Sequence, residues 1–179
     1  MSQQPDPISS PEAYRASLLA ALGDDDPAVA QAETPAAIRV LLAEAGDRLR
    51  TRSAPGEWSV LECVGHIFDS EVVVSGRVRW ILAEDEPDIV GYDQALWVAE
   101  LRHNEDDPAR LLATFEALRG ANLDLWALRP VADRERIGRH RERGPESYEM
   151  TFRLSAGHDR IHLAQARRAL EAVGAATEA

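Results

Sequence analysis

The sequence predicts an all-α protein, a four-helix bundle with an extra N-terminal helix and long crossover loops. Apolar residues recur at helical spacing through several long segments, and no segment shows convincing alternation of period two. Long helices joined by one or two long connections are typical of such a bundle. At 179 residues the chain fits a single domain, divided into an N-terminal helix and linker (1–33), a bundle core (34–173) and a flexible tail (174–179).

The first helix is predicted from its start and stop signals. Residues 1–8 contain two prolines among polar residues and are expected to form a loose lead-in. Ser10 then provides a cap and Pro11 suits the first helical position, where its missing N–H is not needed. Gly23 is a natural stop for this helix.

A second helix is predicted to begin at Thr34, because Thr34 and Pro35 repeat the pattern of a cap followed by proline. Apolar residues then form one stripe as far as about Arg52. The acidic turn 24–27, which lies between the first two helices, is interpreted as a solvated linker.

The third helix is the longest with a continuous apolar pattern. Ser59 as cap and Glu62 three residues later form a capping box, and the pattern continues for about 24 residues. Apolar residues cover more than half of its circumference, so this helix is expected to be central. A short helix is predicted over 93–101, and a long one from Asp107, as cap, to about Leu128.

Residues 129–146 are interpreted as a long charged loop over one end of the domain. The segment holds six arginines and four carboxylates, together with glycine and proline. A purely solvated loop is one interpretation, and a lid or an anion contact for a substrate is the other. Ser147 is then expected to cap the last helix, which runs to about Leu170.

Composition excludes several classes of protein. A net charge of −11 argues against nucleic acid as a partner, because such binding depends on neutralising phosphates. No apolar run approaches the ~20 residues of a membrane span, and the chain does not begin with a secretory signal, so a cytoplasmic protein without a membrane partner is expected. The one cysteine, Cys63, rules out an internal disulfide and is expected to be a buried helix residue.

The kinds of side chain that are available narrow the chemistry further. All 20 basic residues are arginine, so Schiff-base chemistry and a phosphate-binding loop with its lysine are excluded. The chain also lacks the Gly-x-Ser-x-Gly motif of serine hydrolases. Histidine, carboxylate and arginine remain as candidates for a functional site.

Three of the five histidines are candidate metal ligands. His158 and His162 lie four residues apart and therefore on the same face of the last helix. His66 lies on the third helix, and facing helices of a bundle often build metal sites from inward side chains. Three histidines would leave an open position, as in catalytic zinc sites. The alternative to metal binding is structural. His158 and His162 would then be a surface or core pair on the last helix, and His66 would be a hydrogen-bonded core histidine. His103 and His140 are expected to lie in loops, His103 at the surface.

Several short segments resemble, in order, the DinB-like superfamily of damage-inducible, YfiT-type proteins. These segments are GEWS (56–59), GHIFDSE (65–71), GYDQ (91–94) with Trp97, FEALR (115–119) and GHDRIHLAQ (157–165). The resemblance extends from about Thr34 to Leu170. It implies a bundle in up-down-down-up order and a metal triad at His66, His158 and His162, and members of the family often form homodimers.

The resemblance implies two activities on a small molecule. One is transfer or isomerisation with a low-molecular-weight thiol, and the other is metal-dependent hydrolysis; a non-catalytic metal-binding module for stress response or interaction is the alternative. A divalent transition metal is expected, zinc or nickel with iron as the alternative, although imidazole also suits copper. Asp69 is the candidate for orienting His66, and Asp159 is a weaker one. Arg160 and the arginines of 129–146 are candidates for holding an anion, with solvated arginine as the alternative.

Overall fold

Helices make up most of the structure. The computed structural model describes residue 5 and residues 9–177, so the predictions for the rest of 1–8 and for 178–179 lie outside the described part. The helices are α1 (Pro11–Leu22), α2 (Pro27–Ala45), α3 (Val60–Ala83), α4 (Gln94–Glu100), α5 (Pro108–Leu128) and α6 (Tyr148–Thr177). Short 3-10 helices span Gly46–Arg50, His103–Glu105 and Val131–Glu135, and the strands are β1 (Asp88–Ile89), β2 (Ile137–His140) and β3 (Gly144–Ser147).

The helices α2, α3, α5 and α6 form the bundle. Helix α6 packs against α2 and α3, and α5 packs against the same two helices on the other side. The consecutive pairs α2–α3 and α5–α6 therefore lie across diagonals and need long connections. Helix α1 packs along the outside of α6. The predicted four-helix bundle, with its up-down-down-up order and its extra N-terminal helix, is confirmed.

The apolar core has two main parts. One lies among α2, α3, α5 and α6 around Leu41, Ile67 and Phe115, each of which is at most 1% exposed. The other lies nearer the strands, where Trp126 stacks on Phe152 with ring centroids 4.3 Å apart. None of the helices within residues 9–177 is both long enough and apolar enough to span a membrane.

The caps predicted at Ser59, Asp107 and Ser147 are confirmed, and the structure adds a cap at Asp93. Ser59 and Glu62 form the expected capping box at the start of α3. Asp93 and Asp107 accept hydrogen bonds from the first backbone N–H groups of α4 and α5. At α6 the Ser147 hydroxyl accepts from the amide of Met150 over 3.0 Å.

The predicted start of α2 at Thr34 is wrong, because the helix begins at Pro27. The Asp26 carboxylate accepts hydrogen bonds from the amides of Ala28 (2.7 Å) and Val29 (3.2 Å), so Asp26 is a helix cap and not part of a solvated linker. Pro35 consequently lies inside the helix. The prediction failed because a cap followed by proline occurs twice here and the earlier copy starts the helix.

The interpretation of 129–146 as a loop without regular structure is also wrong. The strands β2 and β3 form an antiparallel hairpin, and β1 pairs with β2 in parallel. The alternation in β2 is masked by Gly138, which takes a buried position where a strand normally carries an apolar side chain. A Cβ at Gly138 would lie 2.8 Å from Cγ1 of Ile89, so the close packing of β2 on β1 requires glycine.

The predicted tail is shorter than expected, since α6 continues to Thr177 and residues 174–177 are helical. At the other end of the chain, Ser10 precedes α1 without a side-chain cap hydrogen bond, although the helix starts at Pro11 as predicted. Gly23 ends α1 with φ +64°, in the left-handed region that favours glycine.

Candidate metal centre

Three histidines from two helices meet inside the bundle. His66 on α3 faces His158 and His162, which lie one turn apart on α6. One ring nitrogen from each lies within 4.8 Å of the others, and no other group of three or more candidate ligands occurs in the described part of the chain. Nε2 of His66 is 2.9 Å from Nε2 of His158. The structure thus brings together the three histidines that the sequence singled out.

Burial keeps the three imidazoles neutral. His66 is 0% exposed, His158 is 6% exposed and His162 is 2% exposed. Burial, followed by the neighbouring histidines, lowers the pKa of His66 and of His158 well below the usual value. Burial also lowers the pKa of His162 to about 4. Near neutral pH each ring therefore offers a nitrogen lone pair without first releasing a proton.

The hydrogen bonding around the rings fits a cation between them. Nδ1 of His162 is 2.8 Å from Oε1 of Gln165, to which it donates, and this leaves Nε2 of His162 free. That Nε2 is buried without a hydrogen-bond partner in residues 9–177, and Nε2 of His66 and Nε2 of His158 have only each other at 2.9 Å. Buried nitrogens without partners are costly in free energy. Neutral imidazoles are ligands of divalent transition metals, so this donor set fits such an ion.

Asp69 does not make the predicted contact with His66. Its Oδ2 instead lies 2.7 Å from Nε2 of His103, and the other ring nitrogen of His103 is 2.7 Å from Oδ2 of Asp106. His103 donates to both carboxylates. Burial lowers its pKa, but the hydrogen bonds and charges of Asp69 and Asp106 outweigh burial and raise it.

The prediction that His103 is a surface residue is wrong, since it is only 4% exposed. Its 3-10 helix packs onto α3 at Gly65, where a Cβ would lie 2.3 Å from Cγ of His103. The glycine inside the long helix was the available signal, because such a glycine often marks a close approach. The histidine beside it in space is 38 positions away in the chain, which the local pattern does not reveal.

Asp159 and Arg160 also point away from the three histidines. The Asp159 carboxylate accepts hydrogen bonds from the Thr34 hydroxyl (2.8 Å) and from Nη1 of Arg119 (2.7 Å). Arg160 donates to Asp25 over 2.7 Å and to the carbonyl of Leu22. Both side chains therefore hold α6 against its neighbours, and neither orients a metal ligand or faces an anion.

A cavity of about 200 Å³ opens beside the histidine cluster, with His158 in its wall. Helices α1, α3 and α6, the 91–94 segment and the β2–β3 hairpin enclose it. Its charged and polar lining includes Arg143, one of the 129–146 arginines predicted as candidates for an anion, and His140, which was expected in a loop. It also includes Arg77 and Glu146, which the sequence did not single out. The available signal was a pair of arginines, Arg77 and Arg79, among the apolar residues of a helix that was predicted to be central, and the sequence does not tell which of the two is buried.

His140 lies in the wall of this cavity and is 4% exposed. Its Nδ1 is 2.9 Å from Oε2 of Glu142 and 3.3 Å from the Glu142 amide nitrogen. The amide of Glu142 donates the longer of these two contacts to Nδ1. Burial, helped by the charges of Arg143 and Arg77, lowers the pKa of His140 to about 4. Its buried Nε2 has no hydrogen-bond partner in the described part of the chain.

Comparisons with known proteins agree with this picture. A model of the DinB superfamily matches residues 29–166. A protein of Oceanobacillus iheyensis, provisionally named a metal-dependent hydrolase, is 30% identical over 119 residues, which are 66% of this chain and 68% of that protein. A protein of Geobacillus thermodenitrificans with the same provisional name is 31% identical over 94 residues, 51% of this chain and 53% of that protein.

The fold has a solved counterpart. YfiT from Bacillus subtilis, provisionally described as a metal-dependent hydrolase with an unusual four-helix bundle topology, matches with a TM-score of 0.74. The match covers 96% of this chain and 94% of that structure. At 21% sequence identity, this likeness shows the fold alone.

Proposed function

The chain belongs to the DinB superfamily, and from this premise we propose that it is a metal-dependent hydrolase of small molecules. The observation that carries the proposal is the meeting of three buried, neutral imidazoles, one of which, His158, lines a cavity. In the proposal His66, His158 and His162 hold one divalent cation. Zinc or nickel is the expected ion, with iron as the alternative. With three protein ligands such a cation would have a position left for water or substrate, and when bound it would supply a lowered water pKa, towards ~7, and polarisation of the bond to be cleaved.

His140 is the residue to which we assign proton transfer. Oε2 of Glu142 lies 2.9 Å from its Nδ1, and His140 lines the cavity that also contains His158. In the proposal Glu142 holds the ring proton on Nδ1, so that Nε2 carries the lone pair. This arrangement, a carboxylate orienting a neutral imidazole, is that of a general base. In the proposed hydrolysis Nε2 of His140 takes a proton from the attacking water and then passes it to the leaving group.

A thiol S-transferase is the second candidate. A cation with an open position also holds a thiolate in its deprotonated form. The thiol would come from a separate low-molecular-weight molecule, because Cys63 is buried and burial raises its pKa to about 12. Both candidates use the same cation site and the same cavity, and the substrate separates them.

The metal site is tested by elemental analysis of protein purified without a histidine tag or chelator. We expect about one divalent cation per chain in the wild type, and a loss of most of it in His66→Ala, His158→Ala and His162→Ala. His140→Ala is the matched control, since it removes a buried histidine of the same cavity and is expected to retain the cation. Equal metal content in all of these variants would overturn the metal site.

The reaction is tested with panels of small esters, amides and phosphoesters, and with low-molecular-weight thiols mixed with electrophiles. We expect hydrolysis by the metal-loaded wild type and a much lower kcat for His140→Ala at unchanged metal content. Turnover that requires an added thiol would favour the transferase. Bound metal without turnover in any panel would favour a non-catalytic metal-binding module.

The assembly and the location of the protein stay predictions. The family resemblance predicts a homodimer, which light scattering of the purified protein tests directly. A cytoplasmic location is predicted from the sequence and is tested by fractionation of cells that express the chain.

A further inference from the structure

Arg77 is a buried arginine in the wall of the cavity. It lies on α3 and is 8% exposed, next to the fully buried Val78 and close to Val74. Charged side chains are seldom buried to this extent unless an opposite charge accompanies them. The surroundings of its guanidinium group therefore indicate what it binds.

The hydrogen bonds of Arg77 leave its charge unbalanced. Its Nη2 donates to the carbonyl oxygen of Val90 over 2.8 Å, and its Nε is buried without a partner. Within the described residues it forms no ion pair with a carboxylate. Arg119 provides the contrast: it is 1% exposed and contacts Glu71 at 2.8 Å and Asp159 at 2.7 Å.

The carboxylates that line the same cavity are already engaged by other groups. Glu146 accepts from Nε and Nη2 of Arg143 over 2.8 and 3.2 Å and from the Thr151 hydroxyl. Glu142 pairs with His140, and Asp93 caps α4 by accepting from the amide of Leu96. Of the two arginines that line the cavity, Arg143 pairs with Glu146, and Arg77 is the one that forms no ion pair in the described part of the chain.

The space next to Arg77 suits a small organic anion. The cavity of about 200 Å³ is below the range of roughly 300–1,000 Å³ that is common for drug-sized ligands. Leu18, Val74 and Leu154 give it apolar walls. Arg77 and His158 line it together, so a ligand held by the arginine lies next to the histidine cluster.

We propose that Arg77 binds an oxyanion group of the substrate, a carboxylate or a phosphoryl group, and holds the rest of a small organic molecule against His158. The planar guanidinium presents its N–H donors in a fork that matches either oxyanion. The role of this contact in positioning a substrate rests on the proposed function, whereas the binding of the anion itself does not. The cavity is therefore selective for anionic substrates of a few non-hydrogen atoms.

The test uses butyrate and propylphosphonate as probes, with butyramide as the uncharged probe of similar shape. Affinity is measured by titration calorimetry for the wild type, Arg77→Met and Arg79→Met. Arg79 is the matched control, because it lies on the same helix but is exposed and donates to Ser75 and Asn122 outside the cavity. We expect at least one anion to bind the wild type and Arg79→Met, about tenfold weaker binding or worse for Arg77→Met, and no binding of butyramide.

The two anions separate the carboxylate from the phosphoryl group, and the binding of neither would overturn the proposal. Equal binding of an anion by wild type and Arg77→Met would overturn it as well. Arg77→Met is expected to fold, since it removes a buried charge that has no partner. If it does not fold, the NMR signal of the Arg77 side-chain Nε–H is followed in the wild type instead, with Arg77→Lys used to assign it. This signal must shift when the anion is added, and an unchanged signal rejects the site.

Metal content measured on the same samples keeps this proposal distinct from the metal site. Anion binding that depends on Arg77 in a protein without metal would support the anion site while the proposed hydrolase fails. One cation per chain with anion binding that is independent of Arg77 would leave the metal site standing and reject the anion site.

Discussion

Arg119 on α5 donates a hydrogen bond over 2.9 Å to the backbone carbonyl of Gln31 on α2. Pro35 lies four residues after Gln31 inside the helix and has no N–H to satisfy that carbonyl. The same guanidinium binds Glu71 on α3 and Asp159 on α6. One buried arginine therefore joins all four helices of the bundle and replaces the donor that a proline removed.

Replacing Arg119 with methionine is expected to lower the free energy of unfolding by about 3–5 kcal/mol, because Glu71 and Asp159 would remain buried without their cation. Denaturant unfolding followed by circular dichroism measures this loss. Arg39→Met is the control, since Arg39 pairs with Glu116 at the exposed surface. This substitution should lower the free energy of unfolding by less than about 1 kcal/mol. Similar losses for both variants would contradict the role of the buried network.

Gly157→Ala is expected to displace α1 from α6. A Cβ at position 157 would lie 2.0 Å from the carbonyl oxygen of Leu18, and backbone atoms of a packed helix do not move aside cheaply. We expect a loss of about 1–3 kcal/mol in the free energy of unfolding, together with weaker ligand binding, because Leu18 and Tyr14 of α1 line the cavity.

Gly120→Ala provides the matched control for this variant. Gly120 lies on α5, and a Cβ there would meet no atom within 4 Å. The substitution should stabilise the protein by about 0.5–1 kcal/mol, since alanine suits a helix better than glycine. Denaturant unfolding of both variants gives the comparison, and a stabilised Gly157→Ala would show that α1 does not approach α6 as closely as described.

The features that were predicted from the sequence depend on neighbouring residues. The cap at Ser59 acts within four positions, and the pair His158 and His162 follows from the period of one helix. His66 was added because it lies on a helix expected to face that pair. Local patterns and one family resemblance were sufficient for the bundle and for the three histidines that meet inside it; metal binding by them stays a proposal.

The features that were missed depend on residues far apart in the chain. Pro35 lies within a helix because Arg119, 84 positions later, supplies the lost donor. His103 is buried because it packs on Gly65, and Arg77 becomes part of a cavity only when the hairpin folds over α3. No local pattern specifies such contacts, so the burial of Arg77 in a cavity wall and the partner of Asp69 emerged only from the structure.

Replacing His103 with glutamine is expected to destabilise the protein more at acidic than at alkaline pH. Burial opposes protonation of His103, but Asp69 and Asp106 raise its pKa above the unfolded value. The folded state therefore binds this proton more tightly than the unfolded state does. The resulting stability is fully present below the unfolded pKa near ~6.5 and is lost as pH rises through the folded pKa.

Unfolding of wild type and His103→Gln at pH 5.5, 7 and 9 measures this effect. The difference in unfolding free energy between the two proteins should be largest at pH 5.5 and smallest at pH 9. Asp69→Asn should reduce the same dependence, because it removes one of the two carboxylates that hold the proton. A difference that does not vary with pH would contradict the protonated state of His103 in the folded protein.

The metal-free protein is expected to lose stability as the pH falls from about 6.5 to 4, which is the opposite dependence. Burial lowers the pKa of His162 to about 4, so in this window the unfolded state takes up a proton that the folded state excludes. The stability is present above the unfolded pKa near ~6.5 and is lost as pH falls through the folded pKa. One unit of pKa corresponds to about 1.36 kcal/mol, so His162 alone contributes about 3 kcal/mol to the free energy of unfolding above this window.

His162→Leu isolates this contribution, because it removes the titrating group and keeps the position apolar. Its unfolding free energy should fall less between pH 6.5 and 4 than that of the metal-free wild type, by about 3 kcal/mol. Adding zinc or nickel at pH 7 should raise the Tm of the wild type and not that of the variant, since a cation that binds the folded state stabilises it. An equal rise in Tm for both proteins would remove His162 from the proposed ligands, while an unchanged pH dependence would show that its ring is not buried in the neutral form.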